Sequence, residues 1–265
     1  MEIAVGSRPG VPRGNDEAYV AEIVAPGIVL LAVAHGFGRI RERPASAVAA
    51  EAIRDSLKRR VRREKRDPRS ALAGAFAAAN ARVYAHSGST EDYVASGTSL
   101  TAALILGDHA FVGHVGATRA YLGRDGALTT LTTDDALGDG ALRLLTRTLG
   151  TQPVLEPALS HLRLMHGDAL VLSGGALHEL LADDEIAEAL RASASSEDVT
   201  ARLLAIAGVR GDGATTVIVG RAFHEQTADA PSRRPPVREV SLALVAMLAA
   251  VIATIVLLHS LLMPA

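Results

Sequence analysis

The sequence predicts an α+β fold in which helices cover the faces of antiparallel sheet, followed by a separate apolar segment at the C-terminal end. Three observations predict it. Short apolar runs are punctuated by hairpin signals at Pro26-Gly27, Gly107-Asp108 and Asp125-Gly126. Two stripes with helical spacing stand together between the first strand-like runs and the later ones. Beyond them, Val240 to Leu258 is an unbroken uncharged run.

In chain order, Ala18 to Ile23 and Ile28 to Ala34 read as two strands joined by the Pro26-Gly27 turn. The second runs into "HGFGR", so His35 is delivered to a strand end, where catalytic groups commonly stand. Ala45, Ala49, Ile53, Leu57 and Val61 recur every four residues and predict a helix. Leu72, Phe76, Ala79 and Val83 predict a second one after Pro68. From Thr98, three or four short apolar runs predict hairpins. "DALVLSG" (Asp168 to Gly174) and "ATTVIVG" (Ala214 to Gly220) are further strands, with helical patterns between them around Ile186 to Leu190 and Val199 to Ala207.

Composition narrows the function classes. The 265 residues contain no cysteine, which excludes disulfides, thiolate metal sites and thiol nucleophiles. A net charge of −2 provides no field towards nucleic acid, and no nucleic-acid partner is expected. The basic stretch "KRRVRREKR" (Lys58 to Arg66) lacks interleaved aromatics; it reads as a solvated helix face or a contact with anionic headgroups. No G-x-x-x-x-G-K-[ST] is present, so a P-loop is excluded.

The ends of the chain suggest where it works. No secretory signal pattern opens the sequence. At the other end, residues 240–262 are long and apolar enough for a single membrane-crossing helix at about 1.5 Å per residue. Arg233, Arg234 and Arg238 precede it and nothing charged follows, so the positive-inside rule places the large N-terminal part in the cytoplasm, anchored to the plasma membrane. Residues 223–239, rich in proline and charge, read as a linker, leaving 1–222 as the folded domain.

The motif order then becomes informative. "TSLTAALILGDHAFVGHVGATRAYLGRDGALTTLTTDD" resembles the central region of the metal-dependent (PPM, type 2C) protein serine/threonine phosphatases of bacteria, which reads G-T-T-x-x-A, N-V-G-D-S-R-A-Y-L and G-x-L-x-x-L-T-x-D-H-S. "LLTRTLG", "HGDALVLSGGALHELLADDEI" and "GVRGDGATTVIV" resemble later family segments in the same order. The resemblance covers about Ile3 to Val219. It implies a β-sandwich of two antiparallel sheets flanked by helices, with carboxylates at one edge holding two Mg²⁺ or Mn²⁺ ions. A bridging water on those ions attacks the phosphomonoester.

Carried over position by position, the family's ligands are incomplete. R-x-x-N-E-D aligns with "RGNDEA": Asn15 is kept, the acids become Asp16 and Glu17, and Arg13 is the candidate phosphate contact, one residue closer to the acids than in the family. D-G-M-G-G aligns with His35-Gly36-Phe37-Gly38-Arg39, so His35 stands where the bridging aspartate would be. Ala117 and Gly174 replace two further family aspartates, while Asp212 keeps the last, with Gly213 in place of its asparagine. The resemblance thus implies a degenerate metal site at Glu17, His35, Gly36 and Asp212. Neutral imidazole offers one lone pair and suits softer ions than Mg²⁺.

No metal cofactor is therefore expected; an active form would use Mn²⁺ or Mg²⁺. On this basis aspartate at both 35 and 174 would rebuild the cage. Three readings remain open. One is a pseudophosphatase that binds or regulates a phosphoprotein or serine/threonine kinase at the membrane. Another is a divergent hydrolase holding a single ion on Asp16, Glu17, His35 and Asp212. The third is a non-enzymatic membrane-attached assembly module. Thr98, Ser99 and Arg119 read as structural, Arg119 by pairing with a buried acid.

Overall fold

A computed structural model of the chain describes residues 1–10, 16–38, 43–63, 67–87, 96–138 and 144–222. The linker and apolar segment at 223–262 and the candidate Arg13 lie outside the described residues. Among the described residues no helix is long and apolar enough to cross a membrane.

The strands are β1 (Glu2–Arg8), β2 (Glu17–Ala25), β3 (Ile28–Phe37), β4 (Gly97–Leu106), β5 (His109–Val115), β6 (Arg119–Arg124) and β7 (Ala127–Thr130). After them come β8 (Ala136–Leu137), β9 (Leu144–Leu145), β10 (Ala158–Arg163), β11 (Ala169–Ser173) and β12 (Thr215–Arg221). Helices α1 (Ala45–Arg63) and α2 (Pro68–Ser87) follow β3, and α3 (Leu177–Leu180), α4 (Asp183–Ala192) and α5 (Ser196–Arg210) separate β11 from β12. Two five-stranded sheets result, ordered β1-β12-β11-β6-β7 and β10-β5-β4-β3-β2, with β8-β9 as a small separate ribbon. The pairings within them are antiparallel.

Strand periodicity explains the layering. Along β3, Leu31 and Val33 point between the sheets, where they meet Leu170, Leu172 and Ile218. Leu30, Ala32 and Ala34 point the other way, onto Ile53 and Leu57 of α1 and Leu72 and Phe76 of α2. Both faces are covered, which is why the sequence there is a continuous apolar run rather than an alternation. The second sheet repeats the arrangement: Val171, Val217 and Val219 pack beneath Ile186 of α4 and Val199 and Leu203 of α5. The described residues of the first 222 therefore form a helix–sheet–sheet–helix sandwich. Each fully buried leucine contributes roughly 1.5–3 kcal/mol of apolar burial. Close approach of α2 depends on Gly113, where an added Cβ would stand 2.5 Å from the Phe76 ring.

The helical stripes fall where their spacing places them, with Ala49, Ile53, Leu57 and Val61 all buried on α1. Strand β1 carries no comparable signal. It pairs with β12, at the far end of the domain, from Glu2↔Arg221 to Arg8↔Thr215. This closure brings the ends of β1, β3, β11 and β12 to one edge of the sandwich.

Candidate functional site

At that edge β2 and β3 pair with Glu17 opposite His35, and β4 continues the row with Ser99 opposite His35. The pairing sets two side chains side by side. His35 Nδ1–H donates to Glu17 Oε1 at 3.0 Å; the Glu17 side chain has no solvent exposure and that of His35 has 33%. A carboxylate so buried requires a donor or a cation, and His35 supplies it. Burial acts most strongly on the imidazole and disfavours its charged form. The Glu17 hydrogen bond, with the charges of Glu17, Asp16 and Glu179, outweighs it, and the His35 pKa is raised above 6.5. The partner of His35 Nδ1 is thus a side chain, Glu17.

Gly174 explains how Glu17 fits. It follows β11, and its N–H donates to Thr216 O of β12 at 2.9 Å. A Cβ built there would lie 1.8 Å from Glu17 Oε1, 2.3 Å from Cδ and 2.5 Å from Oε2. The Glu17 carboxylate occupies the space that any side chain at 174 would need. Glutamate, one methylene longer than aspartate, reaches across from one sheet into the space left at the edge of the other. On this geometry, a side chain at 174 also requires residue 17 to give way.

A cavity of about 370 Å³ opens beside the pair, lined in part by His35, Ala117, Gly175, Glu179 and Gly213. Asp212 is exposed and is not among its lining residues. The loop carrying Asp212 is tied to β1 by Arg8, whose Nη2 donates to Gly211 O and, at 3.3 Å, to Gly213 O. Gly36, at the end of β3, uses its N–H on Asp16 O at 2.8 Å. Ser99 Oγ accepts from Ala117 N at 3.0 Å and braces the turn, a structural role, while Thr98 is fully buried.

Arg119 also has a structural partner. Its Nε and Nη2 donate to both carboxylate oxygens of Asp134 at 3.0 and 2.8 Å. That bidentate contact is the main cause of the guanidinium's raised pKa. Sequence reasoning missed two acids. Asp134 was hidden in an acidic doublet, and Glu179 reaches the cavity only because the single turn of α3 places it there.

Of the candidates, the structure brings Glu17 and His35 together and leaves Asp212 apart from their cavity. No three His, Asp or Glu side chains converge on a common point among the described residues. Two adjacent dications need several anionic oxygens directed at them. Here the Glu17 carboxylate is hydrogen-bonded to His35, and the glycine at 174 offers no side-chain ligand. The described residues do not fit a binuclear metal centre.

Comparison with known proteins gives these features a context. The protein phosphatase 2C family matches residues 28–138. A protein phosphatase 2C-type protein of Streptococcus pyogenes is 26% identical over 86% of this chain and 99% of its own. The serine/threonine protein phosphatase PstP of Mycobacterium tuberculosis is 30% identical over 83% of this chain, which spans 44% of PstP. The crystal structure of PstP superposes with a TM-score of 0.72 at 28% identity, covering 84% of this chain and 99% of that one. The PstP catalytic domain in complex with two manganese ions superposes at 0.70 with 27% identity, over 84% and 98% of the two chains.

Proposed function

We propose that this chain, which belongs to the protein phosphatase 2C family of serine/threonine phosphatases, is a pseudophosphatase. It keeps the phosphatase sandwich and serves a binding or regulatory role in phosphorylation signalling, held to the plasma membrane by residues 240–262. The observation that carries this reading is the Glu17–His35 pair, whose carboxylate fills the side-chain space at Gly174. The PstP catalytic domain is seen in complex with two manganese ions; in this chain the His35 imidazole is the hydrogen-bond partner of Glu17 instead.

Among the described residues, the cavity at the sheet edge has no group of three His, Asp or Glu side chains that could hold a metal ion. Glu179 and Asp16 leave the cleft acidic around His35, which disfavours a phosphate dianion unless metal ions neutralise it. The domain's part in signalling then rests on its surfaces rather than on turnover. The membrane segment would keep that surface beside membrane-bound kinases and their phosphoproteins.

The test is calorimetric titration of the full chain in detergent with Mn²⁺ and Mg²⁺, alongside hydrolysis of p-nitrophenyl phosphate. No saturable binding and no turnover above background is the expected result. Turnover that chelator abolishes would overturn the reading and make the protein a divergent hydrolase with an atypical metal site.

A further inference from the structure

The β10-β5-β4-β3-β2 sheet carries an exposed pair of histidines at its β10 edge, remote from Glu17 and His35. His109 opens β5, and His161 lies on β10, the edge strand paired with it. Their distance from the candidate site follows from register. Leu106 pairs with both His109 and Ile28, at the start of β3, whereas His35 lies near the other end of that strand. In the β5–β10 ladder His109 stands opposite Arg163, and His161 opposite Phe111. Residues 109, 111, 161 and 163 thus share one face of the sheet, by the two-residue alternation of strands.

Three contacts orient the pair. His109 Nδ1 and His161 Nε2 are 2.9 Å apart. The ring centroids are 5.1 Å apart with the planes within 20°, so the rings meet edge to edge. His161 also lies against the Phe111 ring, with centroids 4.5 Å apart and planes 22° apart. The other nitrogen of His109, Nε2, faces Asp108 Oδ1 at 3.6 Å. Asp108 is itself held on the β4–β5 turn. Its Oδ2 accepts from Arg163 Nε at 2.6 Å, and its carbonyl accepts from Leu164 N at 2.7 Å. A carboxylate facing one ring nitrogen, with the other nitrogen turned to a second imidazole, is the arrangement that fixes the tautomer of metal-ligating histidines.

In the free pair, one N–H lies between the two facing nitrogens. A hydrogen bond between exposed side chains competes with water and contributes little. A dication between the rings would instead accept both lone pairs. Two imidazole nitrogens bound at about 2.0–2.1 Å to one ion stand about 2.9 Å apart at a square-planar angle and about 3.3 Å apart at a tetrahedral one. His109 Nδ1 and His161 Nε2 already have that spacing, so the rings need only rotate while the strands stay in place. We infer that these two nitrogens form a site for a late first-row dication, the class of Zn²⁺ and Cu²⁺. Asp108 holds the His109 ring, and water fills the remaining coordination positions. Imidazole suits these ions, whereas Mg²⁺ takes oxygen ligands. The proton balance is simple. With Nε2–H of His109 directed at Asp108, the shared proton belongs to His161 Nε2 and moves to its Nδ1 when metal binds. The bound ion also ties the edge strand β10 to β5. This inference goes beyond the proposed function and does not depend on it.

The test uses ¹⁵N-labelled full chain in detergent micelles. Long-range ¹H–¹⁵N spectra of the histidine rings, which separate Nδ1 from Nε2, are followed while Zn²⁺ or Mg²⁺ is added. Zn²⁺ should move His109 Nδ1 and His161 Nε2 together and saturate at one ion per chain, and Mg²⁺ at the same concentration should leave both in place. His109→Gln and His161→Gln should each weaken binding at least tenfold, read at the histidine that remains. Asp108→Asn should weaken it about tenfold, the loss typical of a carboxylate that orients a ligating histidine. Zn²⁺ should also raise the melting temperature of the parent more than that of His161→Gln. Both substitutions lie on exposed side chains, so the spectra of the variants without metal should otherwise match the parent. Zinc that saturates while the two resonances stay in place overturns the inference. So does an equal response to Mg²⁺, or binding that only one of the two histidine substitutions weakens. An Asp108→Asn chain that binds as tightly as the parent would overturn the part given to Asp108.

Discussion

Placing aspartate at Gly174, where the family resemblance implies one, should damage the fold. The Cβ alone would approach Glu17 Oε1 to 1.8 Å, with Cδ and Oε2 also within 2.5 Å. Glu17 would have to retreat by more than about 1 Å to reach ordinary contact. It has little freedom to do so, because its side chain is wholly buried and Oε1 is held by His35. Overpacking of this kind costs about 1–3 kcal/mol. Losing the ion pair adds to it, discounted because His35 is one-third exposed. A second carboxylate beside a buried one adds repulsion. A total of about 3 kcal/mol lowers the melting temperature by roughly 6–12 °C in a domain of this size. Calorimetric melting of Gly174→Asp, Glu17→Asp and the double variant measures it. The double variant should recover at least about 1 kcal/mol through coupling between residues in contact. Mn²⁺ should raise the melting temperature only when His35→Asp is added to that pair. A Gly174→Asp protein that melts like the parent would refute the argument, as would one that Mn²⁺ stabilises without any change at residue 17.

Two further outcomes follow from the same structure. Glu17→Gln should lower the His35 pKa, measured by NMR, because the hydrogen bond and charge that raise it are weakened while burial remains. In the parent, the raised pKa means the pair's stabilisation is complete below the unfolded value near 6.5 and fades as pH rises through the folded value; melting curves should show that loss in the parent and not in Glu17→Gln. Deleting residues 240–265 should move the protein from the membrane fraction to the soluble fraction and leave the domain's melting transition unchanged, because the described core is built from residues 3–222.

Much of this architecture was legible in one dimension because its signals are local. The four-residue recurrence from Ala45 to Val61 and the apolar run from Ile28 to Ala34 each report one element and the faces it buries. Motif order along the chain added the family and, with it, the sandwich. Strand β1 was not legible, since "EIAVGSR" is short and its partner is a strand near Arg221. The acids Asp134 and Glu179 were equally silent, because an acidic residue on a turn looks solvated until its neighbours are placed.

By itself, the sequence determined residue identities that no fold can alter: a histidine at 35, an alanine at 117 and a glycine at 174. Only the tertiary structure decided what the remaining residues do with the space. Glu17 and Gly174 belong to different sheets and meet solely because the strand ends converge at one edge. Whether a longer carboxylate fills a neighbour's volume depends on side-chain reach across that gap, which no local pattern encodes. The β2–β3 register within one sheet is what puts His35 against Glu17.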